Sequence, residues 1–291
     1  MKQSFPLPLL LLLSSPALAQ EQRQAPISDT EDAGLNLVDV GPGRLHPLVG
    51  LDLRNGDFVR GSYDDDAASL ARAPVHVQIG LVYELARKAD GDATTWLMLR
   101  SSNGLHAPSA DERASPRAWY ESNTLVGLAS RLAPGMTGAL TYTVKASPNG
   151  ISATTHEISG SLALSRDHGL GALKPGLVIS WRPKGAGGLY TQATIEPGWS
   201  LGQADTAPTL SLPLALGAGW RGFYEPGSGD RVYASGGIAL QTPLPIGGGH
   251  WSARMEALAV VRDNRLRALG GPRAEHGTFQ PYVTLALSYG L

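Results

Sequence analysis

The sequence predicts an all-β protein, a closed antiparallel transmembrane β-barrel of about twelve strands. Three observations predict it. The segment Val283-Thr284-Leu285-Ala286-Leu287-Ser288-Tyr289-Gly290-Leu291 alternates large apolar side chains with small or polar ones. Successive strand side chains project to opposite faces, so this strand has one apolar and one polar face. Patterns of this kind recur about a dozen times, each bounded by Gly, Pro, Asn or Asp clusters. Mean hydropathy is close to neutral, −0.09, and no apolar run reaches the roughly 20 residues of a spanning helix. A membrane crossing therefore has to be made by strands closed into a ring, which leaves no backbone group unpaired in hydrocarbon. Bacterial barrels take even strand numbers, so ten and fourteen are the neighbouring counts.

The elements follow in order. Lys2, the apolar Leu7 and Leu9 to Leu13, and Ala17-Leu18-Ala19 before Gln20 make a secretory signal peptide over residues 1–19. Residues 20–35 are polar and acidic without periodicity, a flexible linker on the periplasmic side. Residues 36–291 form one barrel unit, with no compositional break. In Val75 to Glu84, Val75, Val77, Ile79, Leu81 and Tyr83 share one face, and His76, Gln78, Gly80 and Glu84 lie on the other. The clearest hairpin sets Leu140, Tyr142 and Val144 against Thr141, Thr143 and Lys145. After the turn Ser147-Pro148-Asn149-Gly150 it resumes with Ile158, Leu162 and Leu164 opposite Glu157, Ser159 and Ser161. Further strands begin near Leu45, Thr95, Tyr120, Leu177, Leu189, Leu210, Val232, Trp251 and Thr278.

The terminal strand resembles the closing strand of Gram-negative outer-membrane β-barrels, in which Tyr289 and the final residue act as an assembly signal; Leu291 stands where Phe or Trp is usual. The stretches Asn55 to Ser62, Pro74 to Tyr83 and Tyr142 to Gly150 are similar to the TorF-like porins of proteobacteria, over about a quarter of the chain. That resemblance implies an outer-membrane pore without transferable catalytic residues. Both termini then lie in the periplasm, where turns are short. Counting back from the last strand puts Asn264 to His276, Arg221 to Gly229 and Asn103 to Arg117 outside, and Pro243 to Gly249 and Ala133-Pro134-Gly135 inside. Two expected periplasmic turns, Asp167 to Gly176 and Gly198 to Pro208, are long enough to suggest a misplaced pair of strands. Asn55-Gly56 is a two-residue hairpin signal that could split the first strand. Pro213 removes a ladder donor inside a candidate strand.

Composition excludes several function classes. The chain has 36 Gly and no Cys, hence no disulfide, lipidation or thiolate chemistry. Its formal charge of −1, from 24 basic and 25 acidic residues, gives no field for a nucleic acid partner. His156, with Ser152, Thr154 and Thr155 nearby, is the one place where a Ser–His pair could be sought, but hydroxyl residues are common in outer loops. Asp64-Asp65-Asp66 has oxygen ligands suited to calcium and reads as a solvated loop. Gly247-Gly248-Gly249 and Gly270-Gly271 lack the context of a phosphate cradle. Trp119, Tyr120, Trp181, Trp220 and Trp251 fall near strand ends and read as interfacial anchors.

The expectation is a porin-like channel of the outer membrane for passive diffusion of small solutes or ions. Its lumen is lined by Lys145, Glu157, Arg254, Glu256, Gln78 and Gln192, because a charge costs far less against a wet lumen than against lipid. The alternative role for those charges is to pair across the interior and brace it. No cofactor, metal or catalysis is implied. The partners are outer-membrane lipid, the barrel-assembly machinery and a small-molecule solute. The rivals are a barrel-embedded lipid or peptide hydrolase, marked by a lipid-facing Ser and His in contact, and a plugged structural or adhesive barrel, marked by a lumen filled with side chains.

Overall fold

Alternation is resolved into a ring of twelve antiparallel strands in the computed structural model, which describes residues 44–56, 58–63, 73–88, 93–108, 112, 114–164, 169–184, 187–204, 206–246, 251–267 and 278–290. The signal peptide, the linker, Asp64-Asp65-Asp66, Gly247-Gly248-Gly249, Gly270-Gly271 and Leu291 lie outside the described residues. The strands are β1 (Leu45–Arg54), β2 (Val75–Arg87), β3 (Ala93–Leu105), β4 (Trp119–Ala133), β5 (Met136–Ala146) and β6 (Thr155–Leu164). They continue with β7 (Gly176–Lys184), β8 (Leu189–Ile195 and Gly198–Ser200), β9 (Thr209–Ser211 and Leu214–Trp220), β10 (Arg231–Leu244), β11 (Trp251–Arg262) and β12 (Phe279–Tyr289). Each strand pairs with the next, and β12 returns to β1. That closing seam runs from Val49–Tyr289 to Arg54–Thr284, six pairs against the eleven between β11 and β12.

The two faces meet different surroundings. On β5, Thr141 and Thr143 are 2% and 0% exposed, while Leu140 and Tyr142 between them are 61% and 39% exposed. Leu51, Ile79, Leu216, Ile238 and Met255 continue the exposed apolar belt around the ring. Such a surface is stable against hydrocarbon and unfavourable against water. No helix among the described residues is long and apolar enough to cross a membrane.

Three local expectations are corrected. The two long periplasmic turns hide no misplaced strands: Gly198–Ser200 belongs to β8, and the segment before β7 folds into a 3-10 turn at Gly171–Leu173. Asn55-Gly56 does not split β1. Asn55 instead ties the rim across the seam, donating through Nδ2 to Pro281 O (3.3 Å) and accepting from Val283 N (2.9 Å). Pro213 sits in a break in β9 that faces a break in β8 at Pro197. Leu212 N donates to Pro197 O (3.0 Å) and Gly237 N to Pro213 O (3.1 Å). The missing donor is accommodated because both strands are irregular at one level and both proline carbonyls still accept.

A fourth correction concerns the interior. Its inward positions are not uniformly polar. Val82, Trp96, Met98, Leu125 and Ala129 form an apolar cluster toward the short-turn end. Tyr190, Phe223, Tyr233, Leu258, Val260, Leu266 and Tyr282 form another toward the end that carries the long loops. Polar and charged residues occupy the space between them.

Candidate functional site in the lumen

Residues 58–63, between β1 and β2, enter the barrel mouth. Phe58–Val59 pairs with Ser62–Tyr63 in a miniature hairpin whose tip is Arg60-Gly61, at φ +53° and +78°. Glycine is required at the second position: a Cβ there would lie 2.5 Å from Tyr233 and 2.8 Å from Leu266. The tip points Arg60 inward, where Nη1 donates to Glu157 Oε2 at 2.8 Å. Arg182 holds the other oxygen, with Nε and Nη2 at 3.0 and 2.6 Å from Oε1. The Arg60 guanidinium lies 4.7 Å from the Tyr190 ring centre and that of Arg182 lies 4.1 Å from the Phe223 ring centre, distances at which the aromatic faces attract a cation. Tyr224 Oη donates to Arg60 O at 2.7 Å. Side chains from three outer connections, Arg60, Phe223 and Leu266, thus meet inside the mouth, each at most 5% exposed.

A second ion group lies on the wall itself. Arg254 Nη1 donates to Glu196 Oε1 at 2.8 Å, and its Nη2 to Glu256 Oε2 at 2.5 Å. Ser211 Oγ also donates to Glu196 Oε1, at 2.7 Å. This group spans the strands on either side of the proline break.

A third group runs along β1 to β4. Arg54 Nε donates to Asp52 Oδ1 (2.6 Å), His76 has Nδ1 3.3 Å from Asp52 and Nε2 3.3 Å from Glu121, and Tyr120 Oη lies 2.8 Å from the same Nε2. Tyr120 is therefore inward and buried rather than an interfacial anchor; Trp181 and Trp220 are exposed on the outer wall. His106 stacks on Tyr120 with centroids 4.6 Å apart, and pairs with Glu112 at 3.2 Å.

Of the six sequence-derived lumen positions, Glu157, Arg254, Glu256 and Gln78 fall in these groups. Glu157 belongs to the first, and Arg254 and Glu256 to the second. Lys145 is half-buried two positions along β5 from Thr143, the register partner of Glu157. Gln192 is buried and donates to Tyr233 Oη at 3.0 Å; Gln78 is half-buried and reaches Asp52 at 3.5 Å. Tyr289 packs against Trp251 on the outer wall, ring centres 5.2 Å apart and planes tilted by 56°. His156 hydrogen-bonds Tyr142 on that wall. Among the described residues no group of three or more His, Asp or Glu is arranged to hold a metal ion.

Sequence reasoning missed Arg60, Arg182 and Arg100. Arg60 follows a turn signal, and nothing local shows that the turn folds inward. Arg182 stands next to Pro183 at a strand end. Arg100 follows Trp96-Leu97-Met98-Leu99, a run apolar on both faces that hides its alternation.

No family model matches this sequence, and neither does any curated protein. Among solved structures the chain is similar to LpxR from Salmonella typhimurium, at 8% identity over 84% of this chain and 99% of that one, with a TM-score of 0.43. It is also similar to a bacterial polysaccharide outer membrane secretin, at 9% identity over 85% and 98% of the two chains, with a TM-score of 0.46. A variant of OccD1 (OprD) aligns at 10% identity over 95% and 99%, with a TM-score of 0.32. At these identities the likeness is one of barrel architecture alone.

Proposed function

We propose that the chain is a porin-like protein of the outer membrane, exported by residues 1–19 and closed at rest by the hairpin that carries Arg60. The observation that carries this reading is the seating of Arg60 on Glu157, a carboxylate that Arg182 also holds. Removing the sole partner of a buried charge is costly, but Glu157 keeps one partner when Arg60 leaves, so withdrawal of the hairpin strands no charge on the wall. Closure is therefore reversible in principle, and the mouth opens when the hairpin withdraws. In this reading the protein performs no covalent chemistry. Its partners are outer-membrane lipid, the assembly machinery that reads the β12 strand, and a small solute.

Planar-bilayer recording of the refolded protein tests the reading. Wild type is expected to conduct in brief, infrequent openings, and Arg60→Ala to raise the open fraction several-fold. If both proteins fold, judged by heat-modifiable migration, and both stay silent, the plugged structural barrel replaces the channel.

A further inference from the structure

We infer that the lumen contains an anion-binding recess centred on Arg100, so that the solute class of the proposed channel is a small inorganic or carboxylate anion. Arg100 lies on the inward face of β3 between Met98 and Ser102, both buried, and is itself half-buried. Among the described residues it makes no hydrogen bond or ion pair, unlike Arg54, Arg60, Arg182 and Arg254. A guanidinium cannot shed its proton to escape this situation, so it requires water or a counter-anion.

The surroundings supply a second donor. In register, Arg100 stands opposite Gly80 of β2, so the adjacent strand sets no side chain directly across from it, and Ser102 stands opposite Gln78. Ser102 is 1% exposed and its Oγ has no hydrogen-bond partner, so a buried hydroxyl donor remains available next to the cation. The inward carboxylates of the same stretch of wall, Asp52, Glu84 and Glu121, are engaged with Arg54, Arg87 and His76, which offsets their repulsion of an anion. The Trp96–Met98–Leu125 cluster lies on the short-turn side of the recess, and the low dielectric of such neighbours strengthens a lone charge.

This inference rests on the channel reading for its transport meaning, and two measurements keep them apart. In bilayers under a potassium chloride gradient, wild type is expected to prefer chloride, with the permeability ratio falling by about threefold or more in Arg100→Gln, being retained in Arg100→Lys, and shrinking above about 0.1 M salt. Conductance with the same selectivity in wild type and Arg100→Gln overturns the inference and leaves the channel. The second measurement needs no current: the urea midpoint of the folded full-length protein is compared in inorganic phosphate and in potassium chloride of equal ionic strength. A bound anion stabilises the folded state by mass action. Phosphate is expected to raise the midpoint more in wild type than in Arg100→Gln, with Arg100→Lys between them. Equal shifts in all three overturn the anion site whether or not the barrel conducts. A phosphate response confined to wild type and Arg100→Lys in a silent barrel keeps the site and removes the channel.

Discussion

The two arginine–glutamate groups of the lumen look alike in composition and differ in what they connect. Arg60–Glu157–Arg182 joins a loop to the wall, with two cations on one carboxylate. Arg254–Glu196–Glu256 joins wall to wall, with one cation on two carboxylates, at the level where prolines interrupt β8 and β9. In the first, the carboxylate has two cations, so the departure of Arg60 would leave Glu157 paired. In the second, the shared partner is the cation, and its loss leaves the buried Glu256 and the half-buried Glu196 without it. In the proposed channel, this stoichiometry would make one group a latch and the other a brace.

The largest expected effect tests the brace. Arg254→Met should cost about 3–5 kcal/mol in a lipid-refolding titration, the range for stranding buried charges. A cost below about 1 kcal/mol would show that the second group carries no structural role. Outer-wall substitutions give a scale for comparison: Leu216→Arg, on a site 62% exposed to the membrane side, should cost about 2–4 kcal/mol near the midplane. Ser161→Arg, pointing into the lumen, should cost much less, and equal costs would mean that the two faces are wrongly assigned. Arg60→Ala is expected to cost only about 1–2 kcal/mol, chiefly the lost cation–aromatic contact with Tyr190, while changing current most. A stability loss as large as that of Arg254→Met would erase the distinction between latch and brace. The last test is Gly61→Ala. It should destabilise by about 1–3 kcal/mol and reproduce the electrical behaviour of Arg60→Ala, because the added methyl pushes the tip off Tyr233; wild-type conductance would mean that the hairpin does not gate.

Strand positions were legible because they depend on local alternation and turn chemistry. The hairpin from Leu140 to Leu164 carries its pairing in its own pattern, and every strand start read from the sequence corresponds to a strand of the ring. The interior was legible only in part. Glu157, Arg254 and Glu256 could be placed on a polar face, and Arg254 and Glu256 are two apart on one strand, but Arg60 and Glu196 join them from 97 and 58 residues away, separations that no local pattern encodes. Trp96, Met98 and Leu125 point inward against the simple rule because the lumen is partly a packed core, and that decision is made by the opposite wall. Tyr120 misled for the same reason: an aromatic near a strand end serves either the headgroup level or the interior, and here His76 decides.

The short seam between β1 and β12 bears on how the ring comes apart. Two rows of the wall are shortest at six register pairs each, this seam and the β7–β8 row, and of the two only β7 and β8 are also joined by a short connection, so the seam is the weaker. Six register pairs, from Val49–Tyr289 to Arg54–Thr284, hold the chain's first and last strands together, with Asn55 fastening the loop-side end through both halves of its amide. Leu45 to Leu48 have a β2 neighbour but no β12 register partner among the described residues. Unzipping therefore starts at the short-turn end of this seam and proceeds toward Asn55, and amides along that line exchange with solvent hydrogen before those of the β10–β11 and β11–β12 pairings, whose ladders are about twice as long.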